Sequence, residues 1–307
     1  MFSEIVQQQI QCKNSYVQGP LPCTSGISIQ ICNNQIVATI DGKGWIHPRR
    51  KEQYIALISN VLRVAQLKDC YININLSDIP VQGYLNFLRP IQNSSKYFLL
   101  PNHRFTQDDI KLDKNPNKTQ NFDEEVAFIH SHNKTPKLRK MYTACVPHKS
   151  KLDYFRFATG TEFCDGYMWV GSVHKNSQAP DELVETLRKK HMAGDAYVPF
   201  LQHSNYAYVI YNDGNTLSDR MRLLLCLDSV IVRKESPYEE FYTYLLKENV
   251  NYVHYTNESE LTQIYNDLER NPELCSAIVQ NNRTFIQDIL TYANILQYTS
   301  ELINGIC

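Results

Sequence analysis

Residues 206–242 constrain this chain more than any other stretch. An apolar run at 207–211 leads into a polar loop, Asn212-Asp213-Gly214-Asn215, and a second apolar run at 229–232 follows a helix-forming segment. Two apolar strands joined this way read as one βαβ unit of a parallel sheet. Ser218 and Arg220 fall in the expected first turn of the helix. Helix N-termini carry unpaired N–H groups and the positive end of the dipole, so they favour phosphate. An arginine there adds a planar, two-pronged partner for a diphosphate. Such units also serve as plain scaffold, and spacing alone leaves both readings open.

Composition narrows the class. At 307 residues and 43% hydrophobic content the chain is globular, with room for two ordinary domains. A net charge of −1 argues against broad binding to nucleic acid or anionic membrane. No apolar run reaches the roughly 20 residues of a transmembrane helix. The first residues lack the basic start and apolar core of a secretory signal, so the expected location is cytoplasmic. Nine scattered cysteines form no paired metal spacing and are expected to be mostly reduced thiols. Richness in Asn, Ile, Lys and Tyr suggests an AT-rich genome, that of a protist or a large virus.

Along the chain, 27–31 and 36–40 alternate around Asn33-Asn34, a hairpin signal. Residues 51–65 carry Tyr54, Leu57, Ile58, Val61 and Leu62 on one helical face, and 70–75 read as a strand. The polar turn that follows places Asp78 at the strand's carboxyl end, where open α/β sheets bind ligands. A short helix is expected near 122–129, a linker near 132–137, a strand at 142–146 and a helix near 150–158. Two further helices are expected at 259–270 and 271–279. The last has Phe285, Ile289, Tyr292, Leu296 and Ile303 on one stripe. The expected domains are 1–135, 136–280 and a crossover helix at 281–307. Two α/β halves with a returning helix suggest two Rossmann-like domains facing across a cleft.

The run G-x-x-x-S-x-R, an apolar helix, S-V-I-V and a Glu-Phe-Tyr resembles the nucleotide-sugar signature of the family 90 glycosyltransferases. Gly214, Ser218, Arg220, Ser229, Glu240 and Phe241 stand at its positions. Asp219 and Asp228 depart from it, the first replacing an apolar residue and the second a glycine. The resemblance implies a GT-B architecture, a UDP-sugar donor (glucose or xylose) and an inverting reaction. It also implies that the turn Asn75-Leu76-Ser77-Asp78-Ile79-Pro80 carries the general base, Asp78, although Asp before such a turn also caps it. Gly214, Asn215, Ser218 and Arg220 would hold the donor diphosphate. Glu240 would bind sugar or ribose hydroxyls, or else cap the helix after Ser236-Pro237. Where the family carries an arginine-glycine pair, this chain has 142–150, and Lys149 or Lys151 stands in. His103, Arg104 and Phe105 occupy a segment that would approach acceptor and sugar. The sequence has no Asp-x-Asp motif, and a metal-independent transfer to a hydroxyl of a glycan or protein acceptor is expected. The second reading is a catalytically inactive relative that binds a nucleotide sugar or a glycan.

Overall fold

The computed structural model describes residues 3–20, 22–92, 94, 97–105, 121–135, 137–171, 179–214 and 216–307. The first half opens with helix α1 (Ser3–Gln11) and the hairpin β1 (Gly26–Cys32) and β2 (Gln35–Asp41). Asn33 and Asn34 take φ values of 50° and 58°, the left-handed pair that a tight two-residue hairpin turn demands. Helix α2 (Pro48–Val64) starts with proline in its first turn, where the missing N–H costs no hydrogen bond. Strands β3 (Cys70–Asn75), β4 (Leu85–Asn86), β5 (Arg89–Pro90) and β6 (Phe98–Leu99) and helix α3 (Phe122–Ser131) complete the half. Its sheet is mixed, in the order β2-β1-β3-β4-β6, with β1 antiparallel to both neighbours and β3, β4 and β6 parallel.

The second half follows the pattern of its apolar runs. It contains β7 (Leu138–Cys145), α4 (Lys149–Ala158), β8 (Cys164–Trp169), α5 (Asp181–Lys189), β9 (Ala193–Gly194) and β10 (Tyr206–Tyr211). Then come α6 (Met221–Leu224), β11 (Val230–Lys234), β12 (Tyr238–Glu239), β13 (Val253–Tyr255), α7 (Leu261–Arg270) and α8 (Pro272–Thr284). Six of these strands form an all-parallel sheet, β13-β11-β10-β7-β8-β9. Counted from β7, that is the doubly wound order 3-2-1-4-5-6, whose direction reverses between β7 and β10. Open α/β sheets bind their ligands at this switch point, outside the carboxyl ends of the strands.

The expected single stripe from Phe285 to Ile303 is broken. A π-helical turn (Phe285–Ile289) ends α8, and Thr291 caps a new helix, α9 (Tyr292–Ile306), by accepting from Asn294 N–H at 3.2 Å. The Asn294 amide donates back to the carbonyls of Asp288 and Ile289, both at 3.0 Å. These bonds satisfy carbonyls that the break would orphan. Helix α9 returns to the first half and packs on α1 and α2. There Gln9 donates to the Tyr298 hydroxyl, and Tyr298 donates to the Leu99 carbonyl.

The two halves share one apolar core. It runs from Ile27, Ile72 and Leu57 through Phe105 and Phe122 to the buried run 221–227, and on to Tyr298 and Ile303. A second core fills the far face of the parallel sheet, around Tyr154, Phe155, Val230 and Leu268. Strand β12 pairs with β5 across the halves, and Arg89 and Glu239 close that seam with a 2.7 Å ion pair. Beneath it, Arg222 pairs with Glu125, both fully buried under the rings of Phe105 and Phe122. Two α/β halves against one cleft is the GT-B arrangement expected from the sequence. No described helix is long and apolar enough to cross a membrane.

Candidate active site

A cavity of about 760 Å³ opens at the switch point and is lined from both halves. From the second half come Ala144, Cys145 and Val146 at the carboxyl end of β7, Gly214, Leu217 and Ser218 after β10, and Lys151 from α4. From the first come Arg50, Asp78, Phe87, Asn102 and Arg104.

The second-half wall is cationic. The Arg220 guanidinium donates to the Ala144 carbonyl at 2.7 Å and to Ser218 Oγ at 3.1 Å, while its buried Nη2 has no hydrogen-bond partner among the described residues. Lys151 is only 4% exposed. Burial first, and then the Arg220 charge, pull its ammonium down to about 8, more than Asp219 and Asp213 can offset. The buried Lys151 ammonium and the unpartnered Nη2 of Arg220 beside it suit a polyanion. The loop beside them is pinned: Ser150 Oγ donates to the carbonyls of Asp213 (2.7 Å) and Gly214 (3.1 Å), and Tyr255 donates to Asn212 Oδ1 at 2.8 Å. Burial pushes the Asp213 carboxyl up to about 6. His203 accepts from Ala144 N–H through Nε2 (3.2 Å), and its Nδ1 lies 2.8 Å from the Phe200 carbonyl, as a donor there. Burial, then Arg220, hold it down at about 3, so it is a neutral prop behind the cations.

The first-half wall is paired. Asp78 is half-exposed, and Arg50 Nη2 meets its Oδ1 at 2.7 Å. Arg50 in turn donates to the Leu76 carbonyl at 2.7 Å and lies over the Phe87 ring, 5.4 Å from its centroid. The turn that carries Asp78 is braced from inside. Asn75 donates to the Ile79 carbonyl (2.7 Å) and to Asn86 Oδ1 (2.9 Å), and its own Oδ1 accepts from Ser77 N–H and Oγ–H. Arg104 crosses to Asp219 at 2.8 Å, which turns the Asp219 carboxylate toward a cation. Asp228 is held by Arg283 through two bonds of 2.9 and 2.7 Å.

The cavity therefore brings together Asp78, Arg104, Lys151, Gly214, Ser218 and Arg220 of the sequence-derived set. Four expectations change. Ser218 and Arg220 precede α6, which spans four residues instead of a long helix, because the following apolar run stays buried as single turns. Lys149 is exposed at the start of α4 and is absent from the cavity lining, whereas Lys151 shares the buried stripe of Leu152, Tyr154, Phe155 and Ala158. Phe105 is a core residue, edge-on to Phe122 and Phe241, and not an acceptor contact. Glu240 is fully buried, accepts from the Tyr242 hydroxyl at 3.0 Å, and lies outside the lining. Burial holds its carboxyl up at about 8, so it is a neutral buttress near Asn102. Asn215 and the His103 side chain lie outside the described residues.

Sequence reasoning missed Arg50, which carries no motif and reaches the cleft only because α2 starts beside the turn 76–80. It also missed the aromatic end of the cavity, formed by Tyr167, Trp169, Tyr197 and Phe200. There Trp169 and Tyr197 meet edge to face at 5.5 Å, and the indole N–H donates to the Asp195 carbonyl at 2.9 Å. Among the described residues, no group of three or more His, Cys, Asp or Glu side chains is placed to hold a metal ion.

The sequence model of Glycosyl transferase family 90 matches residues 118–306, more than half the chain. Among solved structures, the fold is similar to the C-terminal domain of a glycosyl transferase group 1 family protein, LpcC, from Francisella tularensis. The identity is 8% and the TM-score 0.38, over 50% of this chain and 87% of that one. TarM is similar at 13% identity and a TM-score of 0.40, over 64% of this chain and 49% of that one. No curated protein matches in sequence.

Proposed function

Because the chain belongs to glycosyl transferase family 90, we propose that this glycosyltransferase moves glucose or xylose from a UDP-sugar to a hydroxyl of a glycan or protein acceptor, with inversion. The observation that carries the reading is the pair of under-compensated cations, Lys151 and Arg220, at the switch point of the parallel sheet. They suit a diphosphate: Arg220 offers its free Nη2, Lys151 a point charge, and Ser218 and the backbone beside Gly214 further polar contacts. The aromatic end around Trp169 and Tyr197 suits a flat base. The donor would then lie along the cavity, with its sugar toward Asn102, Arg104 and Asp78.

In the proposed step the acceptor oxygen attacks the anomeric carbon as the bond from that carbon to the β-phosphate oxygen breaks. The bonding pair leaves with UDP, and the acceptor proton passes to Asp78. Arg50 occupies Oδ1, so the proton goes to Oδ2. Charge that grows on the leaving diphosphate is met by Lys151 and Arg220, so the step needs no divalent metal.

The test is UDP release from UDP-glucose and UDP-xylose in the presence of a chelator, alongside UDP binding by calorimetry. Asp78→Asn is expected to lower turnover by at least about 100-fold and to leave UDP affinity within about twofold. Turnover that survives Asp78→Asn would remove Asp78 as the base. A wild type that binds UDP but transfers neither sugar to any acceptor would favour the binding-only reading. Failure to bind UDP would sink the donor assignment.

A further inference from the structure

The sequence holds two tryptophans, and they sit very differently. Trp169 lines the nucleotide end of the cavity. Trp45 is 74% exposed, the most exposed large hydrophobic side chain among the described residues. Single exposed apolar residues are ordinary on protein surfaces, but this one is held in place. Strand β2 ends at Asp41, opposite Ile27, and β1 begins at Gly26, opposite Asn75. The loop 42–47 therefore lies at the same end of the sheet as the turn that carries Asp78.

That loop is clamped. Gly42 N–H donates to the Gly26 carbonyl at 2.9 Å, and Gly44 N–H to the Thr24 carbonyl at 2.7 Å. A Cβ on Gly44 would stand 2.7 Å from Thr24 Cγ2, and one on Gly42 would collide with the Cys23 carbonyl. Both glycines are therefore required for this close approach. The Trp45 ring then meets the edge of His47 at 5.4 Å between centroids. His47 is fixed in turn, because its Nδ1 caps α2 by accepting from Arg50 N–H at 3.4 Å. The chain from indole to imidazole to Arg50 ends on Asp78. On the far side of Asp78, Ile79 is 72% exposed.

We propose that Trp45 is a stacking platform for a carbohydrate acceptor, and that a sugar ring of the acceptor lies on the indole while its neighbour presents a hydroxyl to Asp78. This rests on the donor reading above and narrows its acceptor to a glycan. A pyranose suits the place because its C–H face can cover an aromatic ring while its hydroxyls stay in water. A broad apolar partner suits it poorly. The exposed Lys43 lies two residues from the indole in the same loop, and the strand and helix that flank this loop carry the Asp41–Lys51 ion pair, charged groups that such a partner would strip of water.

Each indole can be read alone. In Trp169→Phe, where Trp45 is the remaining fluorophore, xylotriose, mannotriose, maltotriose and cellotriose are titrated with UDP present. At least one is expected to shift the emission to the blue with saturation. By calorimetry, Trp45→Ala should weaken binding of that sugar about three- to tenfold, and Trp45→Phe should restore most of it. In Trp45→Phe, UDP should quench Trp169 and the trisaccharides should not. If UDP quenches Trp169 but no trisaccharide moves Trp45, the platform is overturned and the donor reading stands. If neither ligand has an effect, both fall. A dimer in sedimentation that Trp45→Ala dissolves would assign the indole to self-association and also overturn the proposal.

Discussion

The two walls of the cleft treat charge in opposite ways. On the second-half wall Lys151 is buried and Arg220 is partly so, with its buried Nη2 left without a hydrogen-bond partner among the described residues. On the first-half wall Arg50 is matched with Asp78, and Arg104 reaches over to Asp219. Desolvated cations without partners cost folding free energy, and a site keeps them where a ligand supplies the anion. Matched pairs ask for no such ligand, so the paired wall suits a neutral, hydroxyl-rich one. On the proposed function, the contrast gives the cavity a direction, with diphosphate on one side and sugars on the other.

Substitutions on the cationic wall should have the largest effects. Arg220→Met is expected to weaken UDP binding on the order of 100-fold at pH 7, measured by calorimetry; unchanged affinity would break the contrast between the walls. Lys151→Met should cost about tenfold in the same assay, and it carries a signature in pH. The folded-state value for Lys151 is about 8, so UDP affinity should hold below pH 8 and decline above it as the ammonium loses its proton. Lys151→Arg should keep affinity level into that range, because its charge does not titrate there.

The same residue yields a stability test. Its folded value lies below its ordinary one of 10.5, so between pH 8 and 10 the unfolded chain keeps a proton that the folded chain has released. Stability of the unliganded protein should therefore climb across that window, and Lys151→Met should abolish the climb while raising the melting temperature at pH 7. Glu240 has the opposite sign. Its folded value is raised from 4.5 to about 8, so its contribution is present in acid and is lost as pH rises from 4.5 through 8. Urea unfolding of Glu240→Gln at pH 5 and pH 8 should show a loss smaller than wild type by about 1 kcal/mol or more. Smallest is Arg104→Ala. Its pair is about a quarter exposed on each side, so stability should change by less than about 1 kcal/mol, and UDP affinity by less than threefold. A large effect there would mean that Arg104 touches the donor.

Local chemistry made much of the fold legible. The hairpin rests on two asparagines that tolerate left-handed backbone, α2 on an unbroken apolar stripe, and the βαβ unit on two short apolar runs. Place in the cleft was legible where it follows from neighbours in sequence, as for Gly214, Ser218 and Arg220, which line the cavity after β10. It was not where the role depends on distant packing. Phe105 and Glu240 sit in motif-bearing segments, yet Phe122 and Phe241 from other elements bury Phe105, and Glu240 is drawn into the core beside the distant Asn102. The choice between Lys149 and Lys151 had a usable signal: Lys151 keeps helical spacing with Leu152, Tyr154, Phe155 and Ala158, while Lys149 falls off that stripe. Arg50 and the Asn75–Asn86 brace had none, since only the sheet brings them to Asp78.

The return of α9 to the first half also governs how the protein is made. Leu99 waits for Tyr298, 199 positions later, to cap its carbonyl. At roughly 5–20 residues per second, roughly 10–40 s of synthesis separate the emergence of those two residues. Throughout that interval the apolar faces of α1 and α2 that α9 will cover remain bare. The nascent chain is thus a natural client for holding chaperones, and its yield should respond to translation speed more than to the stability of the finished enzyme.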